Sequence, residues 1–215
     1  MRSYTRGVKL AVLMPVKAFT EAKQRLADVL SGNDRQRLAR WMAEGVVRAA
    51  GTTPVRVVCD SEVVSDWARS VGAEPLWTAE LGLNGAVDDG VAQLTVAGYD
   101  HIIVAHADLP FPRSLLDVAR PDTATFVPDA RRDGTNVMAF PSARPIPAQY
   151  GPGSFARHWA SAAGTLRELR PDPMLAIDVD DPTDLAHPLL RPLINEVLPT
   201  WLPTTPANHF IRPAT

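Results

Sequence analysis

The sequence predicts a single α/β domain of three layers, α/β/α, with a mostly parallel sheet and a smaller β element in its second half. Three observations carry this expectation. Short β-branched apolar runs alternate with segments of helical periodicity in the order β-α-β-α-β-α-β, which calls for right-handed crossovers and helices on both sheet faces. One such run, His101-Ile102-Ile103-Val104-Ala105, is followed three residues later by a carboxylate in a Leu-Pro turn, Asp108-Leu109-Pro110. Beyond it the texture changes to short strands separated by Gly-, Asp- and Pro-rich loops.

Composition narrows the function classes. A chain of 215 residues with 46% hydrophobic content can bury one sizeable core. A net charge of -2 implies no nucleic acid and no anionic membrane as partner. The one cysteine, Cys59, excludes a disulfide framework and a cysteine zinc site and fits a reducing compartment. The first apolar run, Leu10 to Met14, is too short for a signal-peptide core or a membrane span, so a cytoplasmic location is expected.

Leu10 to Met14 reads as the first strand, closed by Pro15. The next connection carries Lys17, Lys23 and Arg25. The 22 basic residues include only three lysines, and two of them fall here. A compact ammonium serves well as a point-charge phosphate binder. A helix is expected over 21–30, capped by Thr20, with Ser31-Gly32-Asn33 breaking it. Leu38, Trp41, Met42, Val46 and Ala49 then mark a helix with one core-facing stripe. Val55 to Cys59 is the second strand, and Asp60-Ser61 are expected to cap the helix that follows. Glu74 to Trp77 is a short third strand. The loop Gly82 to Gly85 precedes another helix, where Asn84 either caps it or reads a base edge or ribose with its amide; the cap is the simpler account. The fourth strand then leads to Asp108. Ligands bind at the carboxyl ends of strands in such sheets, so the Lys17 loop and Asp108 should share one edge.

In the second half, Ala124–Pro128 and Val137–Phe140 read as strands around the loop 129–136. Gly151-Pro152-Gly153-Ser154 opens a helix, and glycines before a helix let free amides approach an anion. Leu175 to Asp180 reads as a last strand, in which Asp178 and Asp180 share a face. Asp181 suits an N-cap, with Pro182 at the first helical position and Asp184 in the first turn. A turn aspartate bonding its own loop would explain Asp108 alone. Two further carboxylates without a structural account ask for a cation among them. The stretch 186–215 holds six of the 20 prolines, so no long helix is expected there. It is an arm packed on the body or on a partner chain, as in a homodimer, or it is disordered.

Taken together, the motifs resemble one family: the guanylyltransferases that activate phosphoenolpyruvate or 2-phospholactate in making the deazaflavin coenzyme F-420. The pieces are Pro15-Val16-Lys17 with Ala22-Lys23-Gln24-Arg25-Leu26, then Gly82-Leu83-Asn84, Ala107-Asp108-Leu109-Pro110, Gly134-Thr135-Asn136, Gly151-Pro152-Gly153-Ser154 and Asp178-Val179-Asp180. They keep the family's order over roughly residues 10 to 185. The resemblance implies a glycosyltransferase-A-like nucleotidyltransferase domain over 1–185, with GTP and a small phosphorylated carboxylic acid as substrates. It implies magnesium on Asp108, Asp178 and Asp180, and the acid's phosphate near Thr135, Gly151 and Ser154. Lys17, Lys23, Arg25 and Asn84 are then the nucleotide-binding candidates, with Lys17, Lys23, Arg25 and Asp108 supporting catalysis. The attacking phosphate is already ionised, so no general base is required, and His106 and His158 read as packing residues. Two departures stand out. Gln24 replaces a Ser or Thr, and Asp133 replaces a small residue, where its charge would repel an acid unless it faces solvent or meets Arg131 or Arg132. The alternatives are a nucleotidyltransferase with another phospho-acid, sugar phosphate or molybdopterin acceptor, and a non-catalytic nucleotide-binding module. The Gly-Gly-x-Ser-x-Arg-Met type loop of the former is absent, and none of the three aspartates is lost, as the latter would require.

Overall fold

The protein is described by a computed structural model that covers residues 7–78, 82–113 and 115–199. Seven strands form one sheet: β1 (Leu10–Pro15), β2 (Val55–Cys59), β3 (Glu74–Trp77), β4 (His101–Ala105), β5 (Thr123–Pro128), β6 (Thr135–Pro141) and β7 (Leu166–Leu169). Their order is β3-β2-β1-β4-β6-β5-β7. All neighbours are parallel except at β6, which runs antiparallel to both β4 and β5. The second-half strands therefore extend the same sheet instead of forming a separate element. Helices α1 (Gly32–Ala49), α2 (Glu62–Ser70), α3 (Gly82–Val96), α4 (Ser154–Ser161) and α5 (Arg191–Val197) complete the layers.

Period-2 alternation sorts the strand residues between two faces. Val12, Met14, Val57 and Ile103 pack with Val46 of α1 and Val64 of α2. Ala11, Leu13, Ile102 and Val104 pack with Val87 and Leu94 of α3. Gly90 lets α3 come close to the sheet, because a Cβ there would meet Val58 Cγ2 at 2.7 Å and Leu13 Cδ1 at 2.9 Å. A third cluster gathers Leu26, Leu30, Leu38, Met42, Val179, Leu185 and Ile194. It lies under the acidic segment and also takes in α5, so the chain packs on the body as far as Leu198. Residues 200–215, most of the expected arm, lie outside the described residues. Among the described residues no helix is long and apolar enough to cross a membrane.

Several local expectations fail for identifiable reasons. Residues 20–30 form two 3₁₀ turns, Phe19–Glu21 and Gln24–Leu26, and not a helix. Lys23 sits between them in the left-handed region, φ 54°, which ends helical propagation. Ser31 does not terminate that segment but caps α1, accepting the Asp34 amide at 3.2 Å. Asn84 lies inside the first turn of α3 and caps nothing; its amide oxygen accepts the Tyr150 N–H at 2.7 Å. Ser61 occupies the N-cap position of α2 but makes no side-chain cap bond. No strand forms over 175–180. A turn over 173–176 leads into an irregular loop, tethered by Ala130 N–H to the Ala176 carbonyl at 2.9 Å and by Asn136 Nδ2–H to the Leu175 carbonyl at 2.9 Å. The helix expected from Asp181 is a single 3₁₀ turn, Asp184–Ala186.

Candidate active site

The sheet order reverses at β1, whose neighbours β2 and β4 lead to opposite edges, and the crevice at such a point is the expected ligand site. Three segments converge there. The loop after β1 is anchored by Phe19, buried edge-on against Trp67 at 5.0 Å, and by fully buried Leu26. Lys23 stands between these anchors. A left-handed non-glycine residue costs about 1–2 kcal/mol, and the cost is offset by what its ammonium reaches. Lys23 Nζ donates to Asp108 Oδ2 at 2.8 Å and to Asp180 Oδ1 at 3.0 Å. Asp108 follows β4, with Leu109 fully buried beneath it. Asp180 is placed by Val179, which is 0% exposed in the third cluster. Asp184 Oδ2 fixes the backbone, accepting the amides of Asp180 and Asp181 at 2.7 and 2.9 Å.

Electrostatics agree on both sides of this contact. Burial alone would lower the Lys23 pKa, but Asp108 and Asp180 outweigh it and raise it. Burial would raise the Asp108 carboxyl, but Lys23 holds it below the usual carboxylate range. Asp178 has no such counter-ion. Burial first, and then the charges of Asp108 and Asp180, push it up to about 7. Among the described residues no three His, Cys, Asp or Glu side chains close a metal cage, and the Lys23 ammonium stands between two of the aspartates. The donor set nonetheless fits a hard divalent cation. Asp108 Oδ1 is buried without a hydrogen-bond partner, and no cation of the protein favours the ionised form of Asp178.

A cavity of about 390 Å³ opens beside this centre, lined by Lys17, Lys23, Arg25, His106, Asp108 and Asp180 among others. Lys17 is exposed there and makes no ion pair or hydrogen bond among the described residues. Arg25 and Asp180 also border a second cavity of about 440 Å³, which Asp129, Asp178 and Arg131 line. The expected meeting of the Lys17 loop and Asp108 at one edge is thus realised. Asn84 does not join them, because its amide is committed to the Tyr150 backbone at 2.7 and 3.3 Å, although its neighbour Leu83 lines the first cavity.

The third cluster of expected residues sits at the start of β6 and α4, the former on the same edge because β6 is reversed. The first amides of α4 are not free for an anion. Gly153 N–H donates to Asp133 Oδ1 at 3.0 Å, Phe155 N–H to the Asp133 carbonyl at 2.9 Å, and Ser154 N–H to the Gly151 carbonyl at 3.0 Å. Asp133 therefore meets neither Arg131 nor Arg132 but caps α4. It is held in turn by Asp129, whose two oxygens accept the Asp133 and Gly134 amides at 2.9 Å each. What remains unspent is different: the Gly151 N–H and the Ser154 hydroxyl make no hydrogen bond among the described residues.

Thr135 is buried and bonded to His158, Oγ1 to Nδ1 at 3.0 Å. The Gln149 N–H donates to His158 Nε2 at 2.9 Å, so the neutral ring carries its proton on Nδ1 and donates to Thr135. The Thr135 O–H is left to donate elsewhere. His158 thus fixes the Thr135 side chain by a hydrogen bond, beyond the packing that sequence reading assigned to it; the i, i+23 spacing to Thr135 gave no signal. Burial lowers its pKa to about 4. Since the unfolded imidazole titrates near 6.5, the unfolded chain takes up the proton first, and this group's contribution to stability is lost as pH falls from 6.5 toward 4. Urea unfolding of His158→Asn at pH 7 and pH 5 is expected to show a smaller loss between the two than the wild type shows. An equal loss would contradict a buried neutral His158.

The family described as "Guanylyl transferase CofC like" matches residues 10–191. A phosphoenolpyruvate guanylyltransferase of Rubrobacter xylanophilus is 35% identical over 186 residues, covering 81% of this chain and 91% of that protein. The chain belongs to this guanylyltransferase family. A more distant member, a 2-phospho-L-lactate guanylyltransferase of Methanocaldococcus jannaschii, is 27% identical over 84% of this chain and 83% of that protein. A nucleotide-diphospho-sugar transferase fold from Desulfovibrio desulfuricans superposes with TM-score 0.69 at 14% identity, covering 91% of this chain and 99% of the other. That likeness bears on the fold alone, and it agrees with the nucleotidyltransferase architecture expected from the motifs.

Proposed function

We propose that this chain transfers GMP from GTP to phosphoenolpyruvate and releases pyrophosphate, as a cytoplasmic step toward coenzyme F-420. The observation that carries this is the clamp of Lys23 between Asp108 and Asp180 at 2.8 and 3.0 Å, beside a cavity bordered by two further cations, Lys17 and Arg25. Phosphoenolpyruvate is favoured over 2-phospholactate because the relative carrying the first name is 35% identical and the one carrying the second is 27%.

Transfer of this kind asks the protein mainly for positioning and charge neutralisation. A phosphate oxygen of the acid attacks the α-phosphorus of GTP in line, and the bond from that phosphorus to the bridging oxygen of the β-phosphate breaks. Asp108, Asp178 and Asp180 would hold magnesium, which when bound supplies charge neutralisation and Lewis acidity at the reacting phosphates. Lys17 and Arg25 meet the β- and γ-phosphates, while Lys23 holds the Asp108 carboxyl ionised and the Asp180 side chain in place. Gly151 N–H and the hydroxyls of Ser154 and Thr135 are three donors without an internal acceptor, and they suit the acid's phosphate. Asp133 is exposed and accepts the Gly153 amide, which compensates part of its charge.

A thermal-shift comparison tests the binding half of this reading. GTP with magnesium is expected to raise the melting temperature more than ATP, CTP or UTP, and phosphoenolpyruvate more than a phosphoglycerate. No preference among nucleotides would count against guanylyl transfer. Lys17→Ala should weaken GTP on the order of tenfold, less at high salt, while acid affinity holds. Equal weakening of both ligands would instead indicate a disturbed fold.

A further inference from the structure

We infer that Asp60 selects guanine, by accepting the two adjacent donors of its Watson–Crick edge in a slot between the carboxyl ends of β1 and β2. The inference rests on the guanylyl-transfer reading and adds what chooses the base. The slot's walls are mostly apolar, with Val16 from the β1 end, Val58 from β2, and Leu83 and Ala86 from α3, beside Thr78. Among the described residues the charged ones on its lining are Asp60 and Lys17. It shares Val16, Lys17 and Leu83 with the 390 Å³ cavity, so a nucleotide can lie across both. Its own volume of about 60 Å³ admits the edge of a planar ring, leaving ribose and phosphates to the larger space.

Asp60 is placed firmly and left uncommitted. It directly follows β2, whose Val58 carbonyl accepts the Val16 N–H at 3.0 Å, so the two strand ends that flank the slot are bonded together. The residue was expected to help cap α2. Instead its carboxylate makes no hydrogen bond or ion pair among the described residues, and Ser61 beside it makes no side-chain cap bond either. An acceptor-only group with two oxygens, on the rim of a mostly apolar slot, matches one base best. Guanine presents N1–H and N2–H side by side, a bidentate partner for a carboxylate. Adenine and cytosine each place a ring lone pair where guanine has N1–H and would be repelled. Uracil offers one N–H flanked by two carbonyl oxygens. Lys17, on the wall common to both spaces, then lies where base and triphosphate meet.

The experiment is pyrophosphate release at fixed phosphoenolpyruvate, comparing GTP, ITP and ATP on wild type, Asp60→Asn and Asp60→Ala. ITP differs from GTP only by lacking the 2-amino group. Wild type is expected to favour GTP over ITP by on the order of tenfold or more, the discrimination typical of one bidentate contact. Asp60→Ala should lower kcat/KM for GTP by a similar factor, leave ITP much less affected, and leave the KM for the acid unchanged. Asp60→Asn should fall between them, since its single amide oxygen accepts one donor. An unaltered GTP-to-ITP ratio in Asp60→Ala would overturn the inference, and so would equal losses on all three nucleotides. Failure of the transfer reading looks different: wild type would release no pyrophosphate from any nucleotide. The same GTP and ITP comparison by calorimetric binding would then still decide the role of Asp60.

Discussion

Asp108→Asn and Asp180→Asn are each expected to abolish GMP transfer, with losses on the order of 10³-fold or more, while the fold is retained. Both substitutions conserve shape. Each leaves Lys23 one of its two carboxylate partners, at 2.8 or 3.0 Å, so the loop after β1 stays attached. What is lost is negative charge at the point where the centre already has one buried oxygen, Asp108 Oδ1, without a hydrogen-bond partner. A carboxamide is a poor substitute for a carboxylate toward a hard cation. Steady-state rates at saturating substrates, with melting curves as the control for folding, check this. A variant that keeps near wild-type turnover under magnesium would show that the aspartates do not hold the catalytic ion.

Lys23→Met should have the second-largest effect, and it is visible without any substrate. The substitution keeps the apolar stem and removes the ammonium from between Asp108 and Asp180, which then face Asp178 unbalanced. Removing one partner of a buried ion pair costs about 3–5 kcal/mol. Asp180 is half exposed, at 50% side-chain accessibility, so the lower end applies. For a chain of this size that is a fall of roughly 10 °C in melting temperature. Magnesium should restore a larger part of the loss in Lys23→Met than the stabilisation it gives wild type, because the vacated carboxylates then compete for it without the ammonium. If the variant melts with wild type in the absence of metal, the ion pair contributes no net stability. If magnesium shifts both proteins equally, the ammonium and the cation do not share a site.

Much of this centre was legible in the sequence, and the failures have a common cause. Strands β1 to β4 and helices α1 to α3 follow from apolar runs and helical stripes, and their order alone puts Lys17 and Asp108 on one edge. The approach of Asp178 and Asp180 to Asp108 was expected from a strand in which the two share a face; it comes about from a loop instead, anchored by fully buried Val179. The conformation of Lys23 was not readable. Its left-handed backbone is held by contacts to residues 85 and 157 positions away, and those outweigh the local helix propensity of 21–30. Strand β7 was missed because Leu166-Arg167-Glu168-Leu169 is an edge strand with three exposed residues, so it lacks an apolar face. The capping of α4 by Asp133 depends on the turn braced by Asp129, and a glycine pair before a helix does not reveal whether its amides are already taken. Asn84 failed for the same reason, its partner Tyr150 lying 66 residues on.

The most direct test of guanylyl transfer is the dependence of pyrophosphate release on the acid. With GTP and magnesium held constant and phosphoenolpyruvate varied, release should be absent without the acid and saturate with it. One pyrophosphate should appear per acid consumed, with a GMP–acid diphosphate accumulating in step. Pyrophosphate release that does not depend on any phospho-acid, or none at all across phosphoenolpyruvate, 2-phospholactate and phosphoglycerate, would contradict the account.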